Sequence, residues 1–116
     1  MGRHILIAMA IVSAVLPAVA LVSSATAASP SRAARTYTVV IDKMKFGAVP
    51  SRLRAGDTIM WVNRDRFRHT ATAADLSFDI DLEAGKSRKM VMKKAGYVAF
   101  SCKYHPGMKG RLLVSK

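Results

Sequence analysis

The feature that most constrains this chain is a short segment around its single cysteine. Residues 102–108 read Cys-Lys-Tyr-His-Pro-Gly-Met, which places a thiol, an imidazole and a thioether at a spacing of C-x2-H-x2-M. Pro106 and Gly107 favour a chain reversal, because proline fixes φ and glycine adopts conformations that other residues avoid. The segment is therefore predicted to be a tight loop that presents three donor atoms to one centre.

A second imidazole must come from elsewhere in the chain. Of the three histidines, His4 belongs to a segment expected to be removed on export, so His69 remains, 102 − 69 = 33 residues before the cysteine. A thiolate, two imidazoles and a thioether suit an electron-transfer copper site, whereas zinc would more often take another strong ligand in place of methionine. The predicted metal ligands are His69, Cys102, His105 and Met108, and the predicted cofactor is one copper ion.

The cysteine has no partner for a disulfide bond. In an oxidising compartment a free thiol would dimerise or oxidise unless something holds its sulfur, and a metal thiolate does so. In the extended segment before the loop, Val98, Phe100 and Cys102 fall on one face, so the sulfur is predicted to point into an apolar interior.

The first 27 residues have the composition of a secretory signal peptide. A short basic start precedes an apolar run from Ile5 to Val22, and small residues before Ala28 suit cleavage. The run is also long enough to cross a bilayer, so an uncleaved N-terminal anchor is the alternative. We predict a signal peptide at 1–27, a flexible leader at 28–35 and one domain at 36–116, located in the periplasm.

The charge of the chain bears on its partners. Nineteen Lys and Arg residues stand against seven Asp and Glu residues; residues 1–27 contain one basic residue, so the remaining 89 residues carry 18 − 7 = +11. This charge favours acidic redox partners or peripheral contact with an anionic membrane, although it also serves solubility. Nucleic acid is not expected as a partner outside the cytoplasm, and a monomer is expected.

Short β-branched or alternating segments, separated by glycine turns, dominate the rest of the chain. The clearest alternation runs from Leu76 to Glu83, with apolar residues on one face and carboxylates on the other, which is typical of a half-buried strand. This pattern predicts an all-β, antiparallel Greek-key sandwich of about seven to eight strands. Further strands are predicted at Tyr37–Ile41, at Thr58–Asn63, from the basic residues after Lys86 through Met92, at Tyr97–Cys102 and at Arg111–Ser115.

These segments resemble the cupredoxins, and within them the amicyanin and plastocyanin-like proteins. The stretch from Trp61 to Asp65, followed by His69 six positions after Asn63, is similar to the strand and loop that carry the first histidine ligand. The short loop from Cys102 to Met108 is similar in length to that of amicyanin. The resemblance implies a type 1 (blue) copper site, ligation through Nδ1 of both histidines, and an apolar surface around the outer edge of the second histidine.

The sequence departs from the family pattern at three positions. Thr70 stands where relatives often have Asn, which is expected to loosen the contacts around the first ligand. Tyr104 replaces a common Pro and removes a rigid element from the loop. Val98 replaces a common Tyr, which affects packing more than chemistry.

Three functions remain open from the sequence. The preferred one is a periplasmic electron carrier that cycles Cu(II) and Cu(I) and is not an enzyme, and the alternative is copper storage or delivery with the same site. Multicopper catalysis is disfavoured because Ser101 and Lys103 flank the cysteine where further histidine ligands would be needed. A cysteine nucleophile activated by His105 would also need an orienting third group, which the sequence does not indicate.

Overall fold

The computed structural model describes residues 2, 4, 7–26 and 32–116. The chain divides into two compact units, Met1–Pro30 and Ser31–Lys116. The described part of the first unit has no helix or strand, and no described helix is long and apolar enough to cross a membrane. The boundaries predicted for the signal peptide, the leader and the domain stay predictions, and residues 27–31 lie outside the described part of the chain.

The second unit is built from β-strands, and its described residues contain no helix. The strands are β1 (Thr36–Asp42), β2 (Lys45–Phe46), β3 (Leu53–Arg54), β4 (Thr58–Asn63), β5 (His69–Ala73), β6 (Asp79–Leu82), β7 (Ser87–Val91), β8 (Gly96–Ser101) and β9 (Lys109–Ser115). The predicted all-β class is confirmed. The number of strands exceeds the seven to eight expected, because β2 and β3 are two-residue strands that the sequence pattern does not mark.

The strands form two sheets, one with the order β2-β1-β4-β7 and one with the order β3-β9-β8-β5-β6. Most neighbours are antiparallel, but β1 pairs with β4 and β3 pairs with β9 in parallel. The parallel pair β1–β4 arises because the chain leaves the first sheet after β2, adds β3 to the second sheet, and then returns. The result is a sandwich with two ends, which we call the upper end, where β4 and β8 finish and β5 and β9 begin, and the lower end, where β4 and β8 begin and β7 finishes.

The core lies between the two sheets. In β4 the side chains of Ile59, Trp61 and Asn63 point inward and are buried, as the alternation of that strand predicts. Trp61 packs edge-to-face against Phe100 of the opposite sheet, with ring centroids 5.2 Å apart. Phe46 contacts both of these rings. This aromatic cluster fixes how the two sheets sit on each other.

The segment predicted as a strand from Leu76 to Glu83 is only partly a strand. Pairing begins at Asp79, and residues 74–78 form the turn between β5 and β6. Leu76 has φ of 61° and is 75% exposed, so the prediction that it is buried is wrong. Its backbone N–H donates to Ala73 O, and the carboxylate of Asp75 accepts the Ser77 N–H. These local bonds close a turn, which the period-2 pattern does not reveal.

The strand β9 contains a glycine that the core requires. A Cβ placed on Gly110 would lie 2.2 Å from the Cζ of Phe100, whose ring is held in the aromatic cluster. We expect Gly110→Ala to lower the free energy of unfolding by about 2 kcal/mol through overpacking. Urea unfolding measures this value. Gly107→Ala is the matched control, because no atom lies within 4 Å of its Cβ position, and equal stability of the two variants would contradict the packing argument.

Candidate metal centre

The buried histidine is placed by the loop between β4 and β5. His69 is the first residue of β5 and has no exposed surface. Asn63, at the end of β4, shapes the loop: its Nδ2 donates to Phe67 O at 2.7 Å and to Leu82 O at 3.0 Å, and its Oδ1 accepts the Asp65 N–H at 2.9 Å. These bonds satisfy a buried amide and hold the histidine at the upper end of the sandwich.

The sulfur donor is placed by β8. Cys102 follows the last residue of this strand and is 2% exposed, on the same face as Val98 and Phe100. The predicted burial of the thiol is therefore confirmed. Two backbone bonds close the loop that follows: Cys102 N–H donates to Met108 O at 3.1 Å, and Met108 N–H donates to His105 O at 2.9 Å. The side chain of Met108 is also buried.

Three donor atoms converge at this point. The Nδ1 atoms of His69 and His105 are 3.1 Å apart, and the Sγ of Cys102 lies 3.8 Å from the first and 3.6 Å from the second. Two donors bound to one metal at about 2.0–2.3 Å lie about 3–4 Å from each other, so the triangle fits a single ion. In the described part of the chain this is the only group of three His, Cys, Asp or Glu side chains with such geometry.

The two imidazoles differ in their access to solvent. His69 is fully buried, whereas His105 is partly exposed. The ring of Phe67 approaches His105 edge-to-face at 6.4 Å, and Phe67 is itself half exposed. Tyr104, the residue before this histidine, is also half exposed. One ligand of the four predicted therefore reaches an apolar surface at the upper end.

Asp65 orients the buried imidazole, a contact that the sequence analysis missed. Its carboxylate lies 2.8 Å from His69 Nε2 and also accepts the backbone N–H groups of Lys43 and Met44, at 2.8 and 3.0 Å. Burial raises the pKa of Asp65, but these hydrogen bonds outweigh it and lower the pKa below its usual value. A carboxylate on Nε2 favours the tautomer that leaves Nδ1 free to bind metal. An Asp four residues before a ligating His was the available signal.

Thr70, the residue after the first histidine, contacts both the cysteine and the residue that follows it. Its backbone N–H donates to Cys102 Sγ at 3.3 Å, and its Oγ1 accepts the Lys103 N–H at 2.9 Å. The same hydroxyl is 2.9 Å from Thr72 Oγ1, which donates to Asp79, and Asp79 forms an ion pair with the Lys103 side chain. These contacts hold Lys103 through both its backbone N–H and its side chain. The departure from Asn therefore leaves no donor or acceptor of this group unpaired.

A β-sandwich in which two histidine nitrogens and a buried cysteine sulfur lie close together is typical of one class of metal-binding protein. The model of the family described as "Cupredoxin-like domain" matches residues 12–114, and the chain belongs to this family. No curated protein matches it significantly. The predictions of the family, of the sandwich fold and of a copper cofactor are confirmed, while the identity of the four ligands stays a prediction.

Solved structures similar to this chain include several of amicyanin. The Cu(I) form of a methionine-to-alanine mutant has 26% sequence identity and a TM-score of 0.62, covering 69% of this chain and 82% of that one. The reduced Cu(I) form at pH 4 of a proline-to-glycine mutant has 25% identity and a TM-score of 0.60, covering 74% and 86%. A reduced proline-to-phenylalanine mutant has 26% identity, a TM-score of 0.60, and coverage of 69% and 82%.

The hydroxyl of Thr70 is testable apart from the metal. We expect Thr70→Val to lower the free energy of unfolding of the metal-free protein by about 1–3 kcal/mol, because the Lys103 N–H and the Thr72 hydroxyl lose a buried partner. Thr70→Ser keeps the hydroxyl and serves as the control in the same urea titration. A valine variant as stable as the serine variant would show that the hydroxyl does not hold the loop.

Proposed function

We propose that the protein is a periplasmic electron carrier that binds one copper ion through His69, Cys102, His105 and Met108. The observation that carries the proposal is the convergence of Cys102 Sγ and two imidazole Nδ1 atoms within 3.1–3.8 Å of one another. Copper held by this soft and borderline donor set would take up one electron as Cu(II) and release it as Cu(I).

The surrounding residues support electron transfer because they fix the donor atoms. Thr70 N–H donates to the sulfur, Asp65 holds the ring of His69, and two backbone bonds close the loop from Cys102 to Met108. Hydrogen bonds to the sulfur and burial of the site tune the potential of such centres. Donors that do not move between oxidation states keep the cost of each electron transfer low.

The partly exposed His105 is the proposed exit for electrons. Phe67 and Tyr104, both half exposed, give its surroundings an apolar character, and a partner pressed against them would exclude water from the contact.

The charge around this surface supports an acidic redox partner. Of the three arginines that precede the first ligand, Arg68 forms an ion pair with Asp81, and this pair lowers the pKa of the Asp81 carboxyl. Arg64 and Arg66 are exposed and form no ion pair within the part of the chain that the structure describes. Of these three arginines, Arg64 and Arg66 therefore remain available to attract an acidic partner.

The ligand assignment is tested by the absorption spectrum with one equivalent of Cu(II). We expect Cys102→Ser to abolish the intense thiolate-to-copper band in the visible region, and Met108→Leu to keep the band and raise the reduction potential. Met92→Leu is the control, because Met92 is a buried core methionine near the lower end. A visible band that survives in the serine variant would sink the assignment, and colour without a reversible couple would favour copper storage instead.

The role of the two free arginines is tested with small redox probes of opposite charge. We expect Arg64→Glu combined with Arg66→Glu to slow oxidation of the reduced protein by anionic hexacyanoferrate(III) by about threefold to tenfold at low salt, and to speed oxidation by a cationic cobalt(III) phenanthroline complex. Lys93→Glu combined with Lys94→Glu makes the same change in net charge at the lower end. Equal effects of the two double variants would refute a local role for the arginines.

A further inference from the structure

The exposed apolar side chains of the described residues 32–116 gather at two places. Those near the metal centre are Met44, Phe67 and Tyr104. The others lie at the lower end and on the face of β8 and β9 beside it, and they are Leu76, Val91, Tyr97 and Leu113. Electron transfer through His105 would explain why the side chains of the first set are exposed. It does not explain the exposure of the second set.

A cavity of about 470 Å³ opens beside two residues of the second set, Val91 and Tyr97. It lies between the β5–β6 turn and the connection from β7 to β8. Phe78, Met90 and Met92 form its apolar part, and Lys93 and Lys94 stand exposed at its edge. An open apolar cleft of this kind at the end of a sandwich is a place where an apolar group can enter from outside.

Both the backbone conformation and the solvent exposure of Leu76 are energetically unfavourable. Its φ of 61° is a backbone conformation that bulky residues avoid, and its side chain meets solvent over three quarters of its surface. A leucine that protrudes from a turn beside an apolar cleft gains from contact with an apolar phase. The side chain of Leu76 is therefore suited to enter an apolar phase outside the protein, and it does not belong to the core.

The charge at this end is positive. Lys93 and Lys94 line the cleft together with one acid, Asp75, and the guanidinium of Arg111 lies 5.9 Å from the ring of Tyr97. Exposed apolar and aromatic side chains flanked by Lys and Arg are the combination that binds the interface of a bilayer rich in anionic lipid.

We propose that the lower end of the sandwich docks on an anionic lipid bilayer, with Leu76 and the cleft in contact with the acyl boundary and Lys93 and Lys94 on the headgroups. Cys102, the residue after β8, lies five residues beyond Tyr97, so the cysteine of the site lies about 17 Å from Tyr97 along the strand direction. His105 then faces away from the bilayer and stays open to a partner.

The point at which the chain enters the second unit agrees with this orientation. Arg32 forms an ion pair with Asp57, and the Arg35 N–H donates to the same carboxylate, just before β4 begins at the lower end. Any segment that precedes residue 32 therefore joins the domain at the end proposed to face the bilayer.

The test uses the compact unit Ser31–Lys116, which contains every core residue, and vesicles of phosphatidylcholine alone or mixed equally with phosphatidylglycerol. We expect sedimentation with the mixed vesicles only, weakened by added salt. Lys93→Glu combined with Lys94→Glu should lower the partition coefficient by more than about tenfold, and Leu76→Ser by about threefold. Lys43→Glu combined with Lys45→Glu, at the upper end, makes the same change in net charge. It should change the logarithm of the partition coefficient by less than half as much as the Lys93 and Lys94 double variant does.

Equal loss in the two double variants would overturn the proposal, because binding would then follow net charge rather than the lower end. Absence of binding to the mixed vesicles would overturn it as well. Metal-free and copper-loaded protein should bind alike, so this result is independent of the proposed electron-transfer function.

Discussion

The convergence of Cys102 Sγ with two imidazole nitrogens is the contact on which the rest of the upper end depends. Three lone-pair donors within 3.1–3.8 Å gain little from one another, so their arrangement must be imposed by neighbouring residues or by a bound cation. The protein imposes it with a small set of hydrogen bonds. Asp65 fixes one ring, and Thr70 fixes both the sulfur and the peptide that follows it.

These hydrogen bonds can form because β5 and β8, the strands beside the site, belong to one sheet. β5 starts and β8 finishes at the upper end, and the two strands are neighbours. The buried histidine and the cysteine are thus positioned by sheet geometry, while His105 and Met108 are positioned by the short loop to β9. The sheet places His69 in the core, whereas the loop places His105 at its edge. This difference explains why the first imidazole is buried and the second reaches the surface.

Much of this could be predicted from the sequence. The spacing of Cys102, His105 and Met108 and the scarcity of other histidine and cysteine residues predict the site, and the alternation in β4 and β8 identifies the buried faces. Long-range bonds could not be predicted, because the backbone N–H groups that bond Asp65, and the contacts of Thr70 with Cys102 and Lys103, join residues 21 to 33 positions apart in the chain. The exposure of Leu76 was missed for a local reason, since a turn closed by Asp75 interrupts an otherwise regular pattern.

The central claim concerns the atoms bound to copper, and X-ray absorption at the copper K-edge measures them most directly in both oxidation states. We expect one sulfur at about 2.1–2.3 Å and two imidazole nitrogens at about 2.0 Å in the Cu(II) protein, with shifts below about 0.1 Å on reduction. A first shell made only of nitrogen and oxygen, or loss of a histidine on reduction, would contradict it.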